Sequence, residues 1–346
     1  MPGTRPLKVR SRIVADTIDV VPPSAPLPKQ QVSDAATVPG DNNGSENAES
    51  RSSSSRHAST ARSRGSPVAT AIITGGAGGM GLATAKIMGR HHRIVVADVN
   101  QERIDAAVAE LAALGVDASG VVCDITDRTS VDRLIASAQS DGHVRAVVHA
   151  AGVSPQMGSA EFILRINAVG TINVTEAFLR VAGEGDVLVN VASIAGHMSP
   201  AALEPTRTYK LAFTDVTKFE HKLVRSANRM PKRMRPGVAY STSKAFVIWY
   251  TRKVAAAFGA KGARVVSVSP GTFDTAMGRL EERSGSAKML DFAALKRPGR
   301  PEEVAEVLAF CASEQPGYLT GTDILVDGGT KAGLGLKGMI AMARGA

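Results

Sequence analysis

The stretch Ala71–Gly81, AIITGGAGGMG, decides how the rest of this 346-residue chain reads. Its apolar entry, Ala69, Ala71, Ile72 and Ile73, is too short for a buried helix and suits a strand covered on both faces. Gly75, Gly79 and Gly81 then fall in a T-G-x-x-x-G-x-G spacing and run into GLATAKIM, where Leu82, Ala83 and Ile87 form the inner face of a helix. Glycine at such a strand–turn–helix junction lets the backbone turn tightly and approach a pyrophosphate with no Cβ in the way. It also aims the helix's first N–H groups at negative charge. A glycine cluster alone equally suits a flexible loop, so its surroundings decide.

The next strand, Arg93–Val99 (RIVVADV), carries Asp98 at its end, 17 residues after Gly81. A carboxylate there accepts hydrogen bonds from the adenosine ribose hydroxyls and repels a 2′-phosphate, which points to NAD over NADP. The alternative is a solvated strand-end aspartate. Further strands are legible at 119–123, 144–149, 186–191, 264–268 and 323–326, with the first two at 69–73 and 93–98 and helical patterns between them. This alternation predicts an α/β fold, a single Rossmann-type domain with a doubly wound parallel sheet of about seven strands and ligands at the strands' carboxyl ends. Asp124 and Ile125 follow the third strand, where an adenine would lie, and Ala150, Ala151 and Gly152 form a small-residue turn after the fourth.

Residues 1–66 differ in kind. VVPPSAPLP, GDNNGSENAES and RSSSSRHASTARSRGS lack aromatics and periodicity, and cannot bury enough apolar surface to offset their ordering entropy, so a disordered extension is expected. Its six acids, Asp16, Asp19, Asp34, Asp41, Glu46 and Glu49, argue against an acid-poor transit peptide. No stretch reads as a signal peptide or a membrane span. Cys123 and Cys311, each within an apolar run, read as buried free thiols, which suits a reducing cytoplasm and leaves no disulfide framework or cysteine zinc site; no metal is expected. Net charge +9 raises the question of nucleic acid, but aromatics are only 4% and no recognition motif is present.

The reacting groups come at the ends of later strands. DVLVNVA delivers Ser193, and downstream Tyr240 and Lys244 stand at i and i+4, one turn apart on one helix face. An ammonium beside a phenol favours phenolate, so Tyr240 gains the ability to trade a proton with a substrate oxygen that Ser193 hydrogen-bonds.

With Thr74–Gly81, Asp98, Asp124, Ala150–Gly152, Asn167, Ser193, Tyr240, Lys244 and Pro270-Gly271 with Thr275, residues 67–330 resemble the short-chain dehydrogenase/reductase family. The resemblance implies that Tyr240 is the acid/base, that Ser193 orients substrate, and that Lys244 lowers the tyrosine pKa and binds the nicotinamide ribose. Asn167 would hold a proton-relay water, and the turn SPGTFDT, with Pro270, Gly271, Thr272 and Thr275, would meet the carboxamide. The cofactor set implied is Thr74, Gly75, Gly79, Met80, Gly81, Asp98, Asp124, Ile125, Ala150, Ala151, Gly152, Tyr240, Lys244 and that turn, with a homodimer or homotetramer as the assembly.

There are departures. His149 stands where the family usually has asparagine. Only 15 residues separate Gly152 from Asn167, while Ser193 and Tyr240 lie 47 apart, far more than usual. That pairing is similar to the bacterial 3α-hydroxysteroid dehydrogenase/carbonyl reductase group, which implies a secondary alcohol or ketone on a bulky apolar substrate. A 3-hydroxyacyl thioester and a non-catalytic dinucleotide-binding regulator are the alternatives. The insertion, 197–237, carries nine Lys/Arg and three acids, net +6, equal to the whole excess of residues 67–346. Ala212, Val216, Phe219 and Leu223 recur at helical spacing, with Lys218, Lys222, Arg225 and Arg229 on another face, predicting an amphipathic helix of about five turns ended by Pro231. Both ends of the insertion must lie at the site's rim, so it is expected to be a lid whose apolar face covers substrate or meets a subunit partner. The alternatives are a solvated helix, or a basic face that receives an anionic thioester or a membrane surface. The tail 331–346, GLGLKGMIAMARGA at its end, is expected either to pack at a subunit interface or to fray.

Overall fold

The computed structural model describes residues 69–198, 204–282 and 286–335. The expectations for residues 1–66 and for most of the C-terminal tail lie outside these described residues. Seven parallel strands form one sheet: β1 (Thr70–Thr74), β2 (Arg93–Asp98), β3 (Ala118–Val122), β4 (Val144–His149), β5 (Val187–Val191), β6 (Arg264–Pro270) and β7 (Asp323–Val326). Their spatial order is β3-β2-β1-β4-β5-β6-β7, so the winding reverses between β1 and β4, where Ile72 pairs with Val95 on one side and Val147 on the other. A crevice opens at such a reversal, beyond the strands' carboxyl ends.

Strand residues alternate between two hydrophobic layers, as period-2 geometry requires. Ile72, Val95, Val147, Leu188 and Val265 face one layer. Helices α3 (Arg128–Ser140), α4 (Ala160–Val181) and α6 (Arg235–Gly259) cover it. Ile73, Ile94, Val148, Val189 and Val266 face the other, under α1 (Gly79–Met88), α2 (Gln101–Ala113) and α7 (Pro301–Ala312). Both cysteines are buried free thiols, and burial raises the Cys311 thiol to about 11.

Helix α4 differs from expectation in two ways. Its 22 residues are long and apolar enough to cross a bilayer, though 83% of the most apolar window is buried inside the fold, as a core helix requires. Its ladder is also interrupted by a π turn at Arg165–Val169, which places Asn167.

The insertion helix α5 (Val216–Asn228) is shorter than the sequence suggests. Asp215 caps it, accepting from the Lys218 N–H at 2.9 Å, so Ala212 belongs to a separate turn, Lys210–Phe213. Its apolar face is not a lid. Phe219, Leu223 and Ala227 are buried in this chain's own core, with the Phe219 ring 4.6 Å from Phe246 of α6. Tyr209 and Phe213 from the preceding turns pack on Phe246 and Tyr250, completing an aromatic cluster across α6. Lys218, Lys222, Arg225 and Arg229 are exposed. An ion pair, Arg165 Nε to Glu220 at 2.8 Å, ties α5 to α4.

Candidate active site

The glycine turn is built by backbone contact. Gly75 has φ 68°, and a Cβ there would lie 2.8 Å from Ala151 Cα; a Cβ on Gly81 would lie 2.3 Å from the Gly75 carbonyl oxygen. Both positions therefore exclude any side chain, and the closeness brings the β1 turn, the β4 turn Ala150–Gly152 and the N-terminus of α1 into one cradle. This is the shape that admits a diphosphate beside backbone N–H groups, so the residues present fit a dinucleotide. Across the crevice, the Thr275 methyl stands 3.8 Å from where a Gly79 Cβ would be.

Thr74 works inside the fold. Its Oγ1 shares a hydrogen bond of 2.7 Å with His149 Nδ1 and accepts from the Ala151 N–H at 3.3 Å. The His149 Nε2 lies 3.2 Å from Thr171 Oγ1, whose hydroxyl donates to the Asn167 carbonyl at 2.8 Å. A continuous polar string thus joins the glycine turn to the π turn. His149 is 2% exposed; desolvation, with Lys244 nearby, lowers its pKa to about 3, so it is neutral at ordinary pH. The Asn167 side chain is fully engaged: Oδ1 accepts from the Val153 N–H and Nδ2 donates to the Val153 carbonyl, both at 2.9 Å, with Ser243 Oγ at 3.3 Å.

A cleft of about 880 Å³ collects Ser193, Tyr240 and Lys244 with Met80, Gly152 and, from the turn after β6, Pro270, Gly271, Thr272, Phe273 and Thr275. Ser193 caps a short turn, Ile194–His197, and accepts from the Ala195 N–H at 3.1 Å. The turn is pressed on α6, since a Cβ on Gly196 would meet the Lys244 carbonyl carbon at 2.8 Å. It is also tied to β7 by His197 Nε2 to Asp323 at 2.7 Å. Lys244 is 6% exposed; its Nζ donates to the Val191 carbonyl at 3.0 Å and stands 5.9 Å from the Tyr240 ring centroid.

Asp98, Asp124 and Ile125 lie away from this cleft, at the β2 and β3 ends. The Asp98 carboxylate accepts from the Val99 N–H at 2.9 Å and faces Arg103 Nη1 at 4.0 Å, a neighbour the sequence reading passed over. Asp124 Oδ1 accepts from both the amide and the hydroxyl of Thr126 at 2.8 Å. Ile125 is 5% exposed and packs on Gly170, so it offers little open face to a ring. Met198 at one end of the insertion and Arg233, Met234, Pro236 and Gly237 at the other line the cleft, at the rim where the sequence placed both ends without naming these residues. Within that end, the i, i+7 spacing of Arg233 to Tyr240 is the signal that singles out Arg233.

Two family models match in tandem: one described as short chain dehydrogenase over residues 69–228, and one described as Enoyl-(Acyl carrier protein) reductase over 224–331. A short-chain dehydrogenase/reductase, bsc3, of Alternaria brassicicola is 30% identical across 75% of this chain and 95% of its own length. A 3beta-hydroxysteroid dehydrogenase 2 of Eggerthella lenta is 28% identical across 76% and 95%. Among solved structures, an actinorhodin polyketide ketoreductase with NADPH superposes with TM-score 0.61 over 76% of this chain and 97% of that one; its 22% identity speaks to the fold alone. With the glycine cradle, the reversed sheet and these relatives in agreement, the chain belongs to the short-chain dehydrogenase/reductase family, oxidoreductases that bind a nicotinamide dinucleotide.

Proposed function

We propose that this chain is an NAD-dependent oxidoreductase that interconverts a secondary alcohol and a ketone on a bulky apolar substrate, a hydroxysteroid or similar cyclic carbonyl. The observation that carries it is the convergence of Ser193, Tyr240 and Lys244 on one cleft beside the glycine cradle. When bound, the nicotinamide gives or takes the hydride. Tyr240 holds the proton that passes to or from the substrate oxygen, and Ser193 donates a hydrogen bond to that oxygen. Lys244, buried and held by the Val191 carbonyl, is the cation that favours phenolate. Asn167 is a positioning residue, its side chain bracing Val153 behind Gly152. The apolar lining supplied by Met198, Met234, Phe273 and Met289, and the relative named as a 3beta-hydroxysteroid dehydrogenase, support an apolar ring substrate over a 3-hydroxyacyl thioester. The joint presence of all three polar groups disfavours a non-catalytic regulator. The buried thiols support a reducing, cytoplasmic setting, and a homodimer or homotetramer is the assembly the family favours.

A second reading of the cofactor has its own observation. The Arg103 guanidinium lies beside Asp98, and a Cβ on Gly78 would be 3.0 Å from its Nη2, so it overhangs the glycine turn. A guanidinium so placed pairs with a 2′-phosphate and supports some use of NADP. The test is a spectrophotometric screen of hydroxysteroids, cyclic alcohols and ketones, and 3-hydroxyacyl thioesters, with both cofactors. Tyr240→Phe is expected to cut turnover by roughly 10²–10⁴ while NADH still binds. Near-normal turnover in that variant overturns the assignment.

A further inference from the structure

We propose that the substrate carries an anionic group at the end remote from the reacting carbon, and that Arg233 binds it. The inference rests on the oxidoreductase reading above and deepens it. Arg233 sits in the short turn Lys232–Met234 that leads directly into α6. Seven residues separate it from Tyr240, which is two turns, so both side chains issue from the same face of nearly continuous helix. The rise along that path is roughly 11 Å.

What lies between them is a trough. Pro236 and Gly237 occupy the intervening positions on this face, both line the cleft, and a Cβ on Gly237 would meet nothing within 4 Å. Met198, Met234 and Met289 supply apolar, adaptable surface along it. Among the described residues lining the cleft the only ionisable groups besides Tyr240 are Lys244 and Arg233, and no carboxylate is present. Lys244 is buried at the reacting end; Arg233 is exposed at the other, and no ion pair ties it to a described residue. Lys218, Lys222 and Arg225 of α5 and Arg229 just after it, by contrast, line no part of the cleft. An apolar body about 8–10 Å long that ends in an anion therefore fits the trough, with the guanidinium taking a carboxylate or phosphate in bidentate fashion at its end.

The carboxylate of a keto acid and the phosphate monoester of a keto alcohol share this chemistry, and the probes separate them. One is a cyclohexanone with a para butanoate chain, compared with its methyl ester. The other is a cyclohexanone with a para propyl phosphate chain, compared with the free alcohol. With NADH-loaded wild type, the charged member of one pair is expected to have at least a tenfold higher kcat/KM. Arg233→Gln should erase that preference through KM, with kcat and the uncharged member held within about twofold. Gly237→Val, a change the helix tolerates, should raise KM for the long substrates alone. Loss of the acid preference identifies a carboxylate, and loss of the alkyl phosphate preference identifies a phosphate. If Arg233→Gln leaves both ratios as they were, or wild type favours neither charged probe, the proposal is overturned. Should no probe turn over, the oxidoreductase reading fails separately, and calorimetric binding of the same probes to NADH-loaded protein decides Arg233 alone. Tighter binding of a charged probe, weakened tenfold in Arg233→Gln, upholds it; equal binding or none refutes it.

Discussion

Two regions deliver residues to the same cleft by opposite means. The glycine turn does it by backbone contact, Gly75 against Ala151 and Gly81 against Gly75, with no side chain to give way. The insertion does it by side-chain packing: Tyr209, Phe213 and Phe219 settle on Phe246 and Tyr250 and so fix where α6, with Tyr240 and Lys244, enters the site. The first device specifies residue identity and is tied to ligand. The second specifies volume and is tied to stability.

The largest expected effects divide these two regions. Phe219→Ala removes a fully buried ring and should cost about 3–5 kcal/mol, seen as a lower midpoint in urea, while dinucleotide affinity in the folded fraction is unchanged. Gly75→Ala puts a Cβ 2.8 Å from backbone at positive φ and should destabilise by about 2–4 kcal/mol, with NADH binding weakened at least tenfold. If Phe219→Ala weakens NADH binding as much as Gly75→Ala does, the division is wrong.

Next in size is cofactor choice at the rim of the glycine turn. Asp98→Ala should shift the NAD-to-NADP ratio of kcat/KM toward NADP by about tenfold, since it frees Arg103 from its carboxylate. Arg103→Ala should move it the other way. A wild type that already prefers NADP refutes the reading of Asp98.

His149 gives a pH signature. Its folded value of about 3 lies below the ordinary 6.5, so between those values the unfolded chain binds the extra proton. Stability therefore falls as pH drops through that window, by up to about 1.4 kcal/mol per pH unit from this group. His149→Asn, the usual family residue, should flatten the slope in chemical denaturation between pH 6.5 and 4. An unchanged slope means His149 is not the group being titrated.

Legibility in the sequence followed the same divide. Glycine spacing was readable because backbone geometry allows few residue types there, and the Tyr240/Lys244 pair because its i, i+4 spacing sets both on one helix face; all seven strands fall within two residues of their expected bounds. An apolar stripe is different, for it requires burial without naming the partner, so Phe219 and Leu223 gave a helix but not its place on α6. The π turn was hidden because one added residue in a helical turn leaves no pattern of its own. Helix α4 did not read as a continuous apolar span because Arg165, Asn167 and Glu176 interrupt it. Arg233 was counted with the other basic residues, and only its position on the Tyr240 face sets it apart.

The smallest effect predicted is near zero, and it is the one that sharpens the comparison most. Lys218, Lys222, Arg225 and Arg229 supply much of the insertion's positive charge, yet all are exposed on α5 or at its C-cap, and no ion pair ties them to a described residue. Screening across an aqueous surface limits each such charge to a few tenths of a kcal/mol. The double variant Lys218→Glu, Lys222→Glu should therefore change stability by less than about 0.5 kcal/mol and leave kcat and KM within twofold, whereas Arg233→Gln acts through KM. The reversal leaves Phe219 and Leu223 buried and keeps the Asp215 cap, so the helix stays folded for a fair test. Sedimentation of the variant beside wild type tells whether the basic face meets a second copy of the chain. A changed assembly state, or a KM shift as large as that of Arg233→Gln, would show that the insertion contributes more to function than the packing that holds α6.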